Sequence, residues 1–285
     1  MKIRITTLAE NTASWLNLLA EWGLSILVEV DATTVLVDTG RSSVAAHNAR
    51  LMKTNLAALD AIVFSHGHED HTGGLIDLLR LRNLPDQPLR VIAHPDVWAP
   101  KYWRAADGTH YNRIGIPYTR EQAELLGARF ELSAEPVWLT ESIVTSGFVP
   151  MTNEFEKIDD NACVKCGHGH GYEQDQLADD QTVFIKTGQG LFVVSGCAHR
   201  GIINTIERGR ELTGCREVYA VIGGIHLFGA DENRLVKTIE ALHRLDVKHL
   251  GVSHCTGQLP AARLAGEFGE RFFFNSAGTI REFDV

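Results

Sequence analysis

Residues 63–74, VFSHGHEDHTGG, concentrate side chains that can bind metal ions. Three histidines and two acidic residues occupy six consecutive positions directly after an apolar run. His66 and His68 are two residues apart, so an extended loop can direct both imidazoles at one centre, while Asp70 and His71 can turn toward a second. Imidazole nitrogen and carboxylate oxygen suit zinc, with manganese, iron or magnesium as alternatives.

The alternative interpretation of this stretch is a histidine-rich surface loop with no chemical role. The spacing His-x-His-x-Asp-His directly after a β-strand favours the metal site, because that pattern is highly specific. Three glycines permit a tight backbone path and leave room around the metals; they are Gly67, Gly73 and Gly74.

Composition indicates a single large α/β domain. The chain has 285 residues, of which 44% are hydrophobic, so it can bury a substantial core. No apolar run approaches the roughly 20 residues of a membrane span, and the start, MKIRITTLAE, lacks the apolar segment of a secretory signal. The sequence therefore predicts a cytoplasmic protein without a membrane partner.

Charge and cysteine content narrow the partners further. The net charge is -9, from 27 basic and 36 acidic residues, and no basic run opposes this balance, so nucleic-acid binding is not expected. Five cysteines, an odd number without a signal peptide, favour reduced thiols over a disulfide framework. A small-molecule substrate is the expected partner, and the oligomeric state is left open.

Predicted strands and helices alternate along the chain. Apolar runs predict strands at residues 2–7, 24–30, 34–38, 61–65, 89–93, 182–186, 191–194, 217–222, 249–252 and 271–274. Helical spacing predicts helices at residues 44–51, 74–81, 201–212, 231–245 and 260–268. The turn between 30 and 34 predicts a hairpin. The sum is a mixed α/β sandwich with sheets inside and helices outside.

Residues 98–180 are the least regular part of the chain. A long segment without clear periodicity is typical of a lid or binding loop. We therefore expect one domain over residues 1–285, in which this segment acts as a lid or substrate loop. Its ring-bearing side chains could stack a flat heterocycle, with ordinary packing as the alternative; they are Trp98, Tyr102, Trp103, His110, Tyr111 and Tyr118.

The pattern of His66, His68, Asp70 and His71 after a strand resembles the metallo-β-lactamase superfamily. The resemblance implies an α/β (α+β) fold, a four-layer αββα sandwich, with a one- or two-metal site. It also matches Asp38, in VLVDTG, to the aspartate that ends an early strand and supports the metal-binding loop. A turn or helix-cap role is the alternative for this residue.

Such a site takes further ligands from the ends of later strands. His199, His226 and His254 each follow an apolar run in a turn that contains glycine or serine. We expect His254 to bind the second metal, together with Asp70 and His71. We expect His226 to face the substrate or to act as an acid or base.

The expected third ligand of the first metal is His199, with His66 and His68. The family usually has a histidine before this pair of strands and a bridging aspartate after it. Here Asp180 and Cys197 lie roughly at those two positions. Asp180 is therefore the reserve ligand, and if it is not a ligand it orients one or orients the substrate.

Further stretches are similar to a narrower subgroup of that superfamily. They are DDQ at 179–181, GCAHRGIINTIE, VIGGIHL and SHCTG. The subgroup is that of the 7,8-dihydropterin-6-methyl-4-(β-D-ribofuranosyl)aminobenzene 5′-phosphate synthases, and the similarity covers nearly the whole chain. It implies a small-molecule substrate that is pterin-like or phosphorylated.

The predicted function is that of a metal-dependent hydrolase with two divalent metals, zinc before manganese, iron or magnesium. The expected substrate is a small ester, lactone or phosphodiester, because paired cations activate water and polarise carbonyl or phosphoryl oxygens. Asp70 would bind the second metal and orient the nucleophile, and His226 would donate a proton or hydrogen bond. A transferase reaction of the synthase type is the other enzymatic reading.

Three other interpretations compete with this one. A non-catalytic, metal-containing binder of a pterin-like ligand is the alternative from a different class. A flavodiiron oxidoreductase would carry a glutamate in place of His68 and a flavin domain, and a nuclease is opposed by the acidic balance.

A further metal could be bound elsewhere by four residues, with a mobile polar loop as the alternative; they are Cys163, Cys166, His168 and His170.

Overall fold

Two β-sheets face each other at the centre of the fold, and helices cover their outer faces. The computed structural model describes residues 1–166 and 171–285. Its strands are β1 (Lys2–Ala9), β2 (Ser25–Val30), β3 (Thr33–Val37), β4 (Ala61–Val63), β5 (Leu89–Ala93), β6 (Lys101–Arg104), β7 (Tyr111–Arg113), β8 (Ala128–Leu132), β9 (Ile143–Thr145), β10 (Ala162–Lys165), β11 (Tyr172–Gln174), β12 (Thr182–Thr187), β13 (Gly190–Ser195), β14 (Val218–Gly223), β15 (His249–Val252), β16 (Phe272–Phe274) and β17 (Ile280–Asp284). Its α-helices are α1 (Val44–Leu51), α2 (Glu69–Thr72), α3 (Leu75–Arg82), α4 (Arg120–Glu124), α5 (Ile202–Thr213), α6 (Glu232–Arg244) and α7 (Gln258–Phe268).

The first sheet has the strand order β17-β1-β2-β3-β4-β5-β8. Strands β2 and β3 pair antiparallel, which confirms the predicted hairpin, and β3, β4, β5 and β8 run parallel. Parallel neighbours end at the same edge of a sheet. Asp38, directly after β3, therefore lies beside the histidine-rich loop that follows β4.

The second sheet has the strand order β16-β15-β14-β13-β12-β9. Strands β13 to β16 are parallel, with β12 antiparallel to β13. The turns after β13, β14 and β15 carry His199, His226 and His254 respectively. Since these three strands run in one direction, the three turns emerge at one edge of the sheet.

Three apolar cores separate the layers. Val28 of β2 and Phe192 of β13 belong to the core between the two sheets. On the far side of the first sheet, α1 and α3 bury residues such as Leu78. On the far side of the second, α6 and α7 bury Leu242 and Leu264. This layering confirms the predicted αββα sandwich.

Helix α6 illustrates how local sequence sets the outer layers. Asp231 caps its first turn, because the side chain accepts a hydrogen bond of 2.7 Å from the backbone N–H of Arg234. Ile239 and Leu242 are buried on the inner face, at the spacing the sequence predicted. The helix therefore covers the second sheet with one apolar stripe.

Residues 98–180 are more regular than the sequence suggested. Strand β8 is an edge strand of the first sheet and β9 an edge strand of the second. Strands β6, β7, β10 and β11 form a small third sheet in the order β11-β10-β6-β7. These strands are only 3–5 residues long, so they carry too few positions for a readable period.

Two further expectations concern the suggested cysteine and histidine metal site and the absence of a membrane span. Cys163 lies in β10 and Cys166 just after it, but His168 and His170 fall outside the described residues, as does the metal site suggested for that quartet. Across residues 1–166 and 171–285, no helix combines the length and the apolar character that crossing a membrane requires.

Candidate metal centre

The candidate centre lies where the ends of strands from both sheets meet. The loop after β4 and helix α2 supply His66, His68, Asp70 and His71. The turn after β13 supplies His199, and the 3-10 turn after β15 begins with His254. Residues predicted from separate parts of the sequence are thus neighbours in space.

The first group consists of His66, His68 and His199, all buried. The Nε2 atom of His66 lies 2.9 Å from Nδ1 of His68 and 3.2 Å from Nε2 of His199. Nitrogen ligands of tetrahedral zinc, at 2.0–2.1 Å from the metal, lie about 3.4 Å from one another. Three imidazole nitrogens that converge at this spacing fit a bound divalent ion.

Burial makes the first group neutral. It lowers the pKa of His66 and His199 well below their ordinary value, and it lowers the pKa of His68 to about 3. Metals bind the unprotonated imidazole, so the lone pairs of this group are available without loss of a proton.

The second group consists of Asp70, His71 and His254. The Nε2 atom of His254 lies 3.3 Å from Oδ2 of Asp70, and Nε2 of His71 lies 4.0 Å from Oδ1 of Asp70. The ring centroids of the two histidines are 5.0 Å apart. A carboxylate and two imidazoles at these distances offer a second set of ligands suited to a divalent ion. Asp70 also belongs, with His66 and His68, to a set whose ligand atoms lie within 4.8 Å of one another.

The second group differs from the first in charge. Burial lowers the pKa of His71, but the charges of Asp38 and Asp70 outweigh burial and raise that pKa to about 9. Burial raises the pKa of Asp70, but the neighbouring imidazoles of His71 and His254 bring it well below its usual range. In the metal-free chain this group holds an ion pair, and a bound cation would take the place of the proton on His71.

Cys197 lies between the two groups. Its Sγ atom is 3.1 Å from Nε2 of His71. It also belongs to three sets of side chains whose ligand atoms lie within 4.8 Å of one another: one with His66 and His199, one with His71 and His254, and one with His226 and Cys255. The thiol is therefore within reach of both positions.

One carboxylate orients members of both groups. Asp38 Oδ2 accepts a hydrogen bond of 2.7 Å from Nδ1 of His71 and another of 2.7 Å from the Ser65 hydroxyl. The Ser65 oxygen in turn lies 2.9 Å from Nδ1 of His66. Both histidines then present Nε2 to the centre, as metal-binding histidines commonly do.

His254 is oriented by residues that the sequence did not single out. Its Nδ1 atom lies 2.8 Å from Oδ1 of Asn11, and its backbone N–H donates to Oε1 of Glu10 at 2.7 Å. Both partners follow directly after β1, far away in sequence. Polar residues after a strand are too common to reveal such a contact without the fold.

A buried lysine supports the histidine loop, and this residue was also missed. Lys101 is 1% exposed, and its Nζ atom lies 2.6 Å from Asp175 and 2.9 Å from Asp179. Asp179 also accepts a 2.8 Å hydrogen bond from the backbone N–H of Gly67, between two first-group histidines. The DDQ stretch at 179–181 was the one signal, and it pointed to Asp180 instead.

Asp180 is buried behind the centre and does not join either group. Its Oδ2 atom accepts a hydrogen bond of 2.9 Å from the backbone N–H of Arg200. Within the described part of the chain its Oδ1 atom has no partner, and burial raises its pKa to about 7. The convergence of nitrogen atoms favours His199 over Asp180 in the first group.

His226 lies beside the first group. Its ring centroid is 4.1 Å from that of His199, and it forms a cluster with Cys197 and Cys255. Among the residues that the structure describes, its Nδ1 atom is buried without a partner. The residue also lines the cavity described next, so it can face a bound molecule.

Several of these residues have a left-handed backbone that is uncommon outside glycine. The φ angles are 60° at Asp38, 52° at Ala198, 47° at His226 and 51° at His254. Such conformations are strained and concentrate at functional sites. The backbone is thus shaped around the centre.

A cavity of about 500 Å³ opens onto both groups. Its apolar wall includes Trp22, Trp103, Ile114 and Phe228. Trp22 lies edge-on to Phe228, with ring centroids 5.8 Å apart. This volume is typical of a small-molecule site. A charged side chain, Arg41, also reaches the cavity and lies 2.6 Å from Glu69.

Of the ring-bearing side chains expected to face a substrate, Trp103 lines this cavity. Trp98 instead packs edge-on against Phe130. Tyr111 stacks on Tyr172 with ring centroids 3.7 Å apart. Most of that set is therefore packing, while Trp22 and Phe228, from outside the segment, had not been predicted.

Comparison with known proteins places the chain in a family. The family model described as the metallo-beta-lactamase superfamily matches residues 23–149. The chain is 34% identical to the 7,8-dihydropterin-6-methyl-4-(beta-D-ribofuranosyl)-aminobenzene-5'-phosphate synthase of Methanocaldococcus jannaschii, over 99% of this chain and 97% of that protein. This similarity to an enzyme confirms the prediction of an enzyme and leaves hydrolase and transferase both open.

Solved structures give the same result. The structure of Tm1679, a metal-dependent hydrolase of the beta-lactamase superfamily, matches with a TM-score of 0.81 and 26% identity, over 99% of each chain. The metallo-beta-lactamase fold protein YhfI from Bacillus subtilis matches with a TM-score of 0.60 and 13% identity, over 99% of this chain and 100% of that one. The second likeness concerns the fold alone. The chain belongs to the metallo-beta-lactamase superfamily.

Proposed function

We propose that this chain is a metal-dependent hydrolase that holds two divalent ions, preferentially zinc, and acts on a small molecule. The observation that carries the proposal is the convergence of two ligand groups at one cavity. The groups come from three separate parts of the sequence and share one orienting carboxylate, Asp38. A surface loop rich in histidine would not require that arrangement.

Each group is proposed to hold one ion. His66, His68 and His199 would hold the first, and Asp70, His71 and His254 the second. Bound divalent ions supply Lewis-acid polarisation of a carbonyl or phosphoryl oxygen and activate water. The spacing of the converging nitrogens supports the first position, since Nε2 of His66 lies 2.9 Å from Nδ1 of His68 and 3.2 Å from Nε2 of His199.

The other side chains would serve the substrate. His226 lines the cavity next to the first group and is proposed to donate a proton or hydrogen bond to developing negative charge. Asp70, besides binding the second ion, would orient the attacking group. Trp22 and Phe228 offer flat apolar surfaces to a ring, and the Arg41 guanidinium offers a cation to a phosphate.

The proposed substrate is an ester, lactone or phosphodiester with a flat, pterin-like or phosphorylated portion. A second candidate is a dihydropterin-linked transferase, which is favoured by the name of the M. jannaschii relative. We also propose one domain over residues 1–285, with part of 98–180 as the substrate wall. Trp103, Ile114 and Asp159 of that segment line the cavity, which supports this role.

Metal analysis combined with turnover tests this proposal. The purified chain should contain two equivalents of a divalent ion and should hydrolyse members of a panel of carboxylic esters, lactones and phosphodiesters. The same preparation should be assayed for condensation of a dihydropterin carbinol diphosphate with a ribosylaminobenzene phosphate. Condensation without hydrolysis would select the transferase, whereas two metals without any turnover would select a non-catalytic binder.

A further inference from the structure

We infer that the Cys197 thiol is a metal ligand shared by the first and second groups. The inference rests on the proposed metal centre and deepens it, because none of the six proposed ligands serves both positions. The residue type also matters: a sulfur ligand favours some metals and disfavours others.

The position of the sulfur atom is the first observation. Sγ lies 3.1 Å from Nε2 of His71 and within 4.8 Å of the ligand atoms of His254. It lies equally within 4.8 Å of the ligand atoms of His66 and His199. A thiol buried for packing alone is ordinarily surrounded by apolar side chains. Here it faces imidazole nitrogens from both sides.

The backbone on each side of Cys197 is the second observation. A Cβ atom at Gly196 would lie 2.1 Å from the Ser65 hydroxyl oxygen and 2.6 Å from Oδ2 of Asp38, so only glycine permits this approach. Ala198 follows in a left-handed conformation, with φ 52°. The chain is therefore pressed against the carboxylate that orients both groups, with Cys197 directed between them.

A second thiol, Cys255, lies in the same cavity and allows a comparison. Cys255 is buried, and its Sγ atom lies 3.5 Å from the backbone oxygen of Cys197, to which it donates. Among the described residues, its cluster contains His226 and Cys197 but none of the six proposed ligands. Cys255 is therefore the matched control for Cys197.

Ligation by Cys197 has a chemical consequence. The thiol proton passes to solvent as the sulfur–metal bond forms, so the ligand is a thiolate. Thiolates bind zinc and iron well and magnesium, calcium and manganese poorly. The shared sulfur thus favours zinc at both positions over the oxygen-preferring ions.

Cobalt substitution tests the inference with a readout that is independent of turnover. The full-length chain is stripped of metal, loaded with Co2+ and examined for the near-ultraviolet charge-transfer absorption that a thiolate–cobalt bond produces. We expect the band in the wild type and in Cys255→Ser, and its loss in Cys197→Ser. The Cys197→Asp variant should still bind two equivalents of cobalt through a carboxylate, without the band.

The outcomes separate this inference from the proposed function. Two bound equivalents of cobalt without the band in the wild type would overturn the thiolate and leave the metal centre intact. A band lost in Cys255→Ser and kept in Cys197→Ser would also overturn it, in favour of the neighbouring thiol. Failure of the wild type to bind cobalt would reject the metal centre itself. Circular dichroism of each variant, and retained metal in Cys197→Asp, show that loss of the band is not loss of fold.

Discussion

The first and second groups hold similar side chains in different ways. In the first, three imidazoles contact one another, and among described residues ring nitrogens of His68 and His199 have no hydrogen-bond partner. In the second, the Nδ1 atoms of His71 and His254 each contact the side-chain oxygen of a polar residue. In the first group, His68 and His199 are therefore oriented mainly by packing, whereas His66 and both histidines of the second group are oriented by hydrogen bonds.

The two groups also differ in charge. Burial keeps the first group neutral, whereas carboxylates on both sides keep His71 protonated in the metal-free chain. One metal position can thus be prepared by excluding water and the other by building an ion pair. Variants that remove packing or polar partners should therefore affect the two positions unequally.

Removal of a first-group ligand should have the largest effect. His68→Ala should lose the first ion and lower turnover by about 10³-fold or more, since a catalytic metal contributes several kcal/mol to the barrier. Metal content measured by mass spectrometry and kcat/KM check this result. His110→Ala, at an exposed histidine, is the control. Normal metal occupancy in His68→Ala would reject the first-group assignment.

The buried lysine tests whether the first group depends on packing below its loop. Lys101→Met should destabilise the fold by about 3–5 kcal/mol, because Asp175 and Asp179 would keep buried charge without their cation. Urea unfolding measures the change, with exposed Lys165→Met as the control. An unchanged free energy of unfolding would show that this ion-pair network does not stabilise the histidine loop.

Loss of the shared carboxylate should weaken metal binding at both positions, so it tests what the two groups have in common. Asp38→Asn should lower metal affinity by about 10–100-fold at each position, because it removes the charge that faces His71 and the acceptor for Ser65. Competition with a chromogenic chelator measures both affinities. Asp31→Asn is the control, since Asp31 is also left-handed and accepts a backbone hydrogen bond. An effect on one ion only would show that Ser65 does not transmit the orientation of Asp38 to His66.

The smallest effect is expected from the partner of His254. Asn11→Ala should weaken the second position by about tenfold and leave the first unchanged, because it removes the hydrogen bond at Nδ1 of His254. The same chelator competition checks it, with exposed Asn112→Ala as the control. Equal weakening at both positions would contradict the separation of the two groups.

The sequence predicted the candidate metal ligands better than the residues that orient them. Four candidate ligands lie within six residues, and the apolar runs before His199, His226 and His254 predicted strands, which the second sheet confirms. That these strands run parallel was seen only in the structure. Asn11, Lys101 and Ser65 were missed because they act through contacts between segments far apart or through one backbone turn. The strands within 98–180 were missed for a related reason, since short strands are specified by their partners rather than by their own period.

The left-handed backbone at four positions around the centre has a consequence for heating. Each such residue costs about 1–2 kcal/mol, so together they oppose folding by an amount close to the net stability of an ordinary domain, about 5–15 kcal/mol. As temperature rises, relaxation of these turns relieves that strain. Ions should therefore leave the chain before its sheets separate, and inactivation should precede melting.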